Sequence, residues 1–140
     1  MTRIVLDTNV LVSGMINPHG APGRIIDLVR EDLVELVVDD RILAEYSDVL
    51  NRPKFNVYFS ASDVQDILIF LTHNAHYVVS IMHVSDIPDL DDAPFLEVAL
   101  TAAVTLVTGN ASHFPTHYRS RTTIISPTEF ISSYNVNFLM

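Results

Sequence analysis

The chain has no cysteine in its 140 residues, which rules out disulfides and thiolate chemistry and suits a reducing compartment. Cationic side chains are scarce as well. Eight Lys plus Arg stand against seventeen Asp plus Glu, a formal net charge of −9, and such a balance opposes nonspecific adhesion to nucleic acid or anionic membrane. Any nucleic-acid contact must therefore be local. Glycines are few, and Gly14, Gly20 and Gly23 do not have dinucleotide-fingerprint spacing. No lysine follows a glycine loop in the manner of a phosphate cradle, which argues against a nucleotide-cofactor enzyme. An apolar run long enough to cross a bilayer is missing, and so is a cationic leader with a small-residue cleavage site. The expectation is a cytoplasmic protein with no membrane partner.

What is present is apolar bulk and acid. Hydrophobic residues make up 49% of the chain, enough at this length for a substantial core. No repeat, low-complexity tract or Pro/Gly/Ser linker divides the sequence, so one domain over residues 1–140 is expected.

Short β-rich runs alternate with amphipathic stretches. Strands are predicted at residues 3–6, 33–38, 77–81, 104–108 and 123–125. Helices are predicted at residues 22–31, from Asp39 or Asp40 to just before Arg52-Pro53, from Ser62 or Asp63, at 94–103 and at 127–134. This alternation predicts a three-layer α/β/α fold around a central, mostly parallel sheet of about five strands, with active residues at the C-terminal strand ends.

Asp7 stands where the apolar run Ile4-Val5-Leu6 gives way to Thr8-Asn9, on the edge where open α/β sheets bind ligands. Asp92 opens a predicted helix and Asn110 follows a predicted strand, so both fall on the same edge. Glu45 lies on the border of its helix's apolar stripe, where periodicity alone reads it as a solvated glutamate. Asp91 and Asp92 read equally well as helix caps ahead of Pro94. Folding could nevertheless gather Asp7, Glu45 and the run Asp86, Asp89, Asp91, Asp92 into one oxygen-rich site. Crowded carboxylates repel one another unless a cation neutralises them, and Mg²⁺ or Mn²⁺ suits oxygen ligands.

Four motifs occur in order. They are Asp7-Thr8-Asn9-Val10; Glu45 ahead of Val49-Leu50-Asn51-Arg52-Pro53-Lys54-Phe55; Asp89-Leu90-Asp91-Asp92 followed by Phe95-Leu96-Glu97-Val98-Ala99; and Val107-Thr108-Gly109-Asn110 followed by His113-Phe114-Pro115. Together they resemble the PIN-domain nucleases, and within them the toxin components of toxin-antitoxin systems related to the VapC toxins. The resemblance spans essentially the whole chain. It implies an acidic pocket that holds Mg²⁺ or Mn²⁺ and hydrolyses RNA phosphodiesters, with Asp7, Glu45 and Asp92 matching the three central acids and Asp7 and Asp92 as metal ligands. It also implies Thr8, Asn9 and Thr108 as groups that orient the carboxylates. A cognate antitoxin that occludes the cleft and a homodimer are the implied protein partners, and the apolar tail Phe138-Leu139-Met140 could join such an interface.

This chain departs from the family's commonest pattern at one point: Asn110 stands where many members have an aspartate after Thr-Gly. A neutral donor would loosen a second metal. Asp91 is expected to be the nearest substitute carboxylate, with Asp89 farther off. Candidate RNA contacts are Arg52, Lys54, His113, Arg119 and Arg121, with Tyr118 and His117 nearby. Zinc at His73/His76 or His113/His117 is disfavoured by Pro115 and by the lack of cysteine. A haloacid-dehalogenase-like phosphatase would need an acid where Asn9 stands. The remaining alternative is a catalytically weak PIN-like module that binds a protein partner.

Overall fold

The computed structural model describes the backbone of residues 1–139 and the side chains of residues 1–135. The tail Phe138-Leu139-Met140 therefore lies outside the described side chains. Five strands, β1 (Thr2–Leu6), β2 (Val34–Val38), β3 (His76–Tyr77), β4 (Thr105–Val107) and β5 (Ile124–Ile125), form one sheet in the order β3-β2-β1-β4-β5. Every pairing is parallel. Ile4, Val5 and Leu6 are consecutive and fully buried, as a strand covered on both faces requires.

The helices are α1 (Thr8–Ile16), α2 (Ala21–Arg30), α3 (Asp40–Leu50), α4 (Ala61–Asn74), α5 (Ala93–Ala102), α6 (Thr116–Arg119) and α7 (Pro127–Leu139). Helix α5 lies along β1, β2 and β4, α2 packs on β2 and against α7, and α3 reaches both α1 and α5. Helices thus flank the parallel sheet in three layers. Asp39 caps α3 by accepting from the Ile42 amide at 2.9 Å. Ser60 and Asp63 close a capping box at α4, slightly earlier than its sequence predicted. Among the described residues no helix is long and apolar enough to cross a membrane.

The short helix α6 was not predicted, and two further elements differ from expectation. Helix α1 has no counterpart in the periodicity, because its stretch Thr8-Asn9-Val10-Leu11-Val12-Ser13-Gly14 is rich in weak helix formers and apolar on several sides. Its helix is imposed by burial of Val10, Leu11 and Val12. Strand β3 covers two residues and does not run to Ile81. Its neighbour β2 ends at Val38 and Asp39 turns the chain into α3, so after the Val78 amide bonds Val38 O at 3.0 Å no ladder partner remains. The Ile81 amide turns to Thr101 Oγ1 instead, at 3.3 Å.

Candidate active site

The strand order reverses at β1, whose neighbours are β2 on one side and β4 on the other. At such a switch point the outgoing connections part and leave a crevice beyond the strand ends. Asp7 is the first residue past β1 and is only 6% exposed. Its amide bonds Val107 O at 3.0 Å, and its Oδ2 accepts from Thr108 Oγ1 at 2.8 Å. Asp7 occupies the N-cap position of α1, yet its carboxylate closes no cap bond. Burial raises its pKa, opposed by the Thr108 hydroxyl and by the nearby Thr8 and Asn9 amides, with Asp89 adding a smaller upward push.

Glu45, in the second turn of α3, is half-buried and accepts a hydrogen bond from the buried Thr8 hydroxyl. Partial burial raises its pKa; the Thr8 bond and Arg52 pull it down, and Asp7 and Asp91 push it up. The next residue, Tyr46, is fully buried and donates its phenol to Leu6 O, the carbonyl just before Asp7. Helix α3 therefore touches the β1 terminus at two successive residues.

Asp92 takes the N-cap position of α5 without using its side chain to cap, so the capping expected from sequence is not what occupies this carboxylate. Its pKa is raised to about 6, chiefly by burial, then by Asp7, Asp89 and Glu45, against a downward pull from His113. Asp89 accepts from the Asp91 amide at 3.0 Å and caps the short turn Leu90–Asp92. Both loop acids act on the cluster: Asp89 pushes up the pKa values of Asp7 and Asp92, and Asp91 that of Glu45.

The Asn110 amide donates to Thr108 Oγ1 at 3.1 Å, so the Thr108 hydroxyl links Asp7 to the turn carrying Asn110. Asn9 is exposed. Of the candidate RNA-contacting cations, Arg52 and His113 act on the carboxylates. Arg52 pairs with Asp48 at 3.2 Å, Lys54 lies over the Phe55 ring, Arg119 donates to Ala111 O, and Arg121 lies over the Tyr118 ring. His117 stands 3.1 Å from Asp86, and Tyr118 donates to that same carboxylate. Among the described residues no three His, Asp or Glu side chains form a closed ion-holding set. The histidine pairs form none, and the acids make an open constellation.

Two charged residues escaped the sequence reasoning. Glu97 on α5 is 4% exposed; its Oε1 accepts from Arg41 Nη1 at 2.7 Å and its Oε2 from the Val84 amide at 2.8 Å. Arg41 also bonds Asp39 Oδ2 from Nε at 2.9 Å. The available signal was an acid inside the apolar run Phe95-Leu96-Glu97-Val98-Ala99, all of it buried, since a carboxylate there needs a partner.

A parallel α/β sheet with acids gathered at its switch point defines the class of open α/β domains that place their site beyond the carboxyl ends of the strands. Within it, this chain belongs to the PIN domain family, whose sequence profile matches residues 3–112. It is 32% identical over 116 residues to the uncharacterized protein MJ1680 of Methanocaldococcus jannaschii, covering 77% of this chain and 70% of that one. Among solved structures it is similar to a chain of VapBC2 from Rickettsia felis bound to a DNA fragment from its promoter, with TM-score 0.53, 14% identity, and 89% and 98% of the two chains covered. It is likewise similar to a chain of FitAB bound to an IR36 DNA fragment, with TM-score 0.57, 17% identity, and 89% and 94% covered. A third is VapBC-1 from nontypeable Haemophilus influenzae, with TM-score 0.56, 15% identity, and 91% and 99% covered. At such identities the structural likeness establishes the fold.

Proposed function

We propose that the chain acts over residues 1–140 as a metal-dependent endoribonuclease that hydrolyses RNA phosphodiester bonds, and that it is the toxin of a cytoplasmic toxin-antitoxin pair. The observation that carries this reading is the convergence of Asp7, Glu45 and Asp92 at the β1/β4 switch point, close enough that Asp7 and Glu45 both raise the pKa of Asp92. Repelling carboxylates of this kind are stabilised by a hard divalent cation, so the donor set fits Mg²⁺ or Mn²⁺. Asp7 and Asp92 would hold the ion, and Asn110 would reach it or its water at most. The ion supplies Lewis-acid activation of water and neutralises charge building on the phosphate.

The chain's own residues carry the remaining work. Thr108 holds the Asp7 carboxylate and Thr8 that of Glu45, which fixes the orientation of both side chains for the ion and the substrate they would serve. Glu45, with its raised pKa, would take a proton from the attacking water as the new phosphorus–oxygen bond forms, and the leaving oxygen would draw a proton from solvent as the old one breaks. His113 and Arg52, the cations that act on the cluster, would offset phosphate charge beside an acidic body. An antitoxin covering the cleft and pairing of two copies complete the proposal, supported by the fold shared with chains of the VapBC and FitAB assemblies.

The test incubates the purified chain with structured and unstructured RNAs plus Mn²⁺ or Mg²⁺, alongside chelator and Asp92→Asn controls. Cleavage that survives both controls sinks the metal-nuclease reading. A second reading, a protein-binding PIN module of feeble activity, is favoured by Asn110, whose neutral amide replaces an acid. Under it, Asp7→Asn would leave both partner binding and any residual cleavage as they were.

A further inference from the structure

Glu97 has no part in the proposed chemistry and yet is the most enclosed acid among the described residues, at 4% exposure. Its two oxygens serve three segments. Oε1 takes the Arg41 guanidinium of α3 at 2.7 Å, Oε2 takes the Val84 amide of the loop between β3 and α5 at 2.8 Å, and the carboxylate itself rides on α5. His83 Nδ1 stands 3.7 Å from Oε2. Behind Arg41, the buried Asp39 at the β2 terminus holds Nε and Nη2 at 2.9 and 2.8 Å.

These three segments are the ones that carry the acids other than Asp7. Arg41 stands one helical turn ahead of Glu45 on the same face of α3. Val84 leads into Asp86 and Asp89, and Glu97 follows Asp92 by little more than a turn of α5. A buried ion pair is weak evidence for net stability, because desolvation offsets most of its Coulomb attraction, and its best-attested use is to specify one geometry. Breaking it from one side leaves an enclosed charge without a partner. A glutamine at this position would turn an N–H₂ donor toward either Arg41 Nη1 or the Val84 amide, both of which are donors.

We propose that Arg41 and Glu97 are positioning residues, a clamp that sets where Glu45, Asp89 and Asp92 stand around Asp7, with which Asp92 would hold the proposed ion. The clamp rests on the nuclease reading for its purpose, while its mechanical effect on the acid-bearing segments stands apart from that reading.

The experiment compares the full chain with Glu97→Gln, Arg41→Gln and Arg41→Lys, using Arg3→Gln as a control that breaks the exposed Arg3–Glu35 pair elsewhere on the sheet. Two quantities are measured: the Mn²⁺ dissociation constant and amide hydrogen exchange. The expected result is Mn²⁺ binding at least tenfold weaker in Glu97→Gln and Arg41→Gln, with partial recovery in Arg41→Lys and none lost in the control. Exchange over residues 84–92 should quicken at least tenfold, with β1 and β4 amides unchanged. Wild-type Mn²⁺ affinity in Glu97→Gln overturns the proposal even if exchange quickens, since a structural strut alone would do that. Should the unaltered chain bind no Mn²⁺, the nuclease reading falls and the clamp's role toward an ion falls with it; quickened exchange over residues 84–92 would then leave Arg41 and Glu97 as a structural strut only. If Glu97→Gln fails to fold, the half-exposed Arg41 gives the same measurement through Arg41→Gln.

Discussion

Thr108 Oγ1 donates to Asp7 Oδ2 at 2.8 Å, joining the ends of β4 and β1 across the point where the strand order reverses. Thr108→Val keeps the shape and removes the donor. The buried Asp7 oxygen and the Asn110 amide both lose their partner, which should lower stability by roughly 1–3 kcal/mol. Cleavage should fall about tenfold or more as the carboxylate loses its orientation. Urea unfolding and single-turnover cleavage check the two effects, and full activity in this variant would remove Thr108 from the site.

Asp92→Asn should abolish cleavage and, at pH 7, raise the thermal midpoint. The ionised Asp92 sits partly buried among Asp7, Asp89 and Glu45, and a neutral amide of the same shape relieves that repulsion. After allowance for its partial exposure the gain is roughly 1 kcal/mol. Thermal melts in chelator decide it: a lower midpoint would mean that Asp92 is stabilised by a partner other than a cation.

The same carboxylate sets a pH dependence. Its pKa of about 6 lies above the ordinary 3.8, so between those values the folded chain holds a proton that the unfolded chain has released. Stability falls as pH rises through that window and levels off above it. Asp7 and Glu45, also raised, act with the same sign. In chelator the urea midpoint should therefore be higher at pH 4.5 than at pH 7. Added Mn²⁺ should restore it more at pH 7, where the acids are ionised.

Gly23 tests the packing that holds α1 in place. A Cβ there would lie 2.3 Å from Pro18 O, a backbone atom that cannot swing aside. Gly23→Ala should cost about 3 kcal/mol and loosen the packing of α2 against α1. Loss of protection in α1 by hydrogen exchange is the expected signature, and unchanged protection would count against it.

Much of the fold was legible because its signals are local. The triplet Ile4-Val5-Leu6, the apolar stripe of α3 and the Asp39 cap each lie within one element, and their order implies a parallel sheet. Less was legible where a distant residue decides. Helix α1 forms from weak helix formers because the core covers it, and β3 stops early because β2 has no more backbone to offer. Glu97 was visible as an acid in an apolar run, while its partners Arg41 and Val84 were not.

By itself the sequence determined the succession of strands and helices apart from α1 and α6, and it pointed Asp7, Asp92 and Asn110 to one sheet edge, since hydrophobic periodicity and capping act over a few residues. Only the tertiary structure decided which charges share a field: Asp89 with Asp7 and Asp92, Asp91 with Glu45, Glu97 with Arg41. The physical reason is that Coulomb and hydrogen-bond energies depend on distance through space, and the chain sets that distance only by folding.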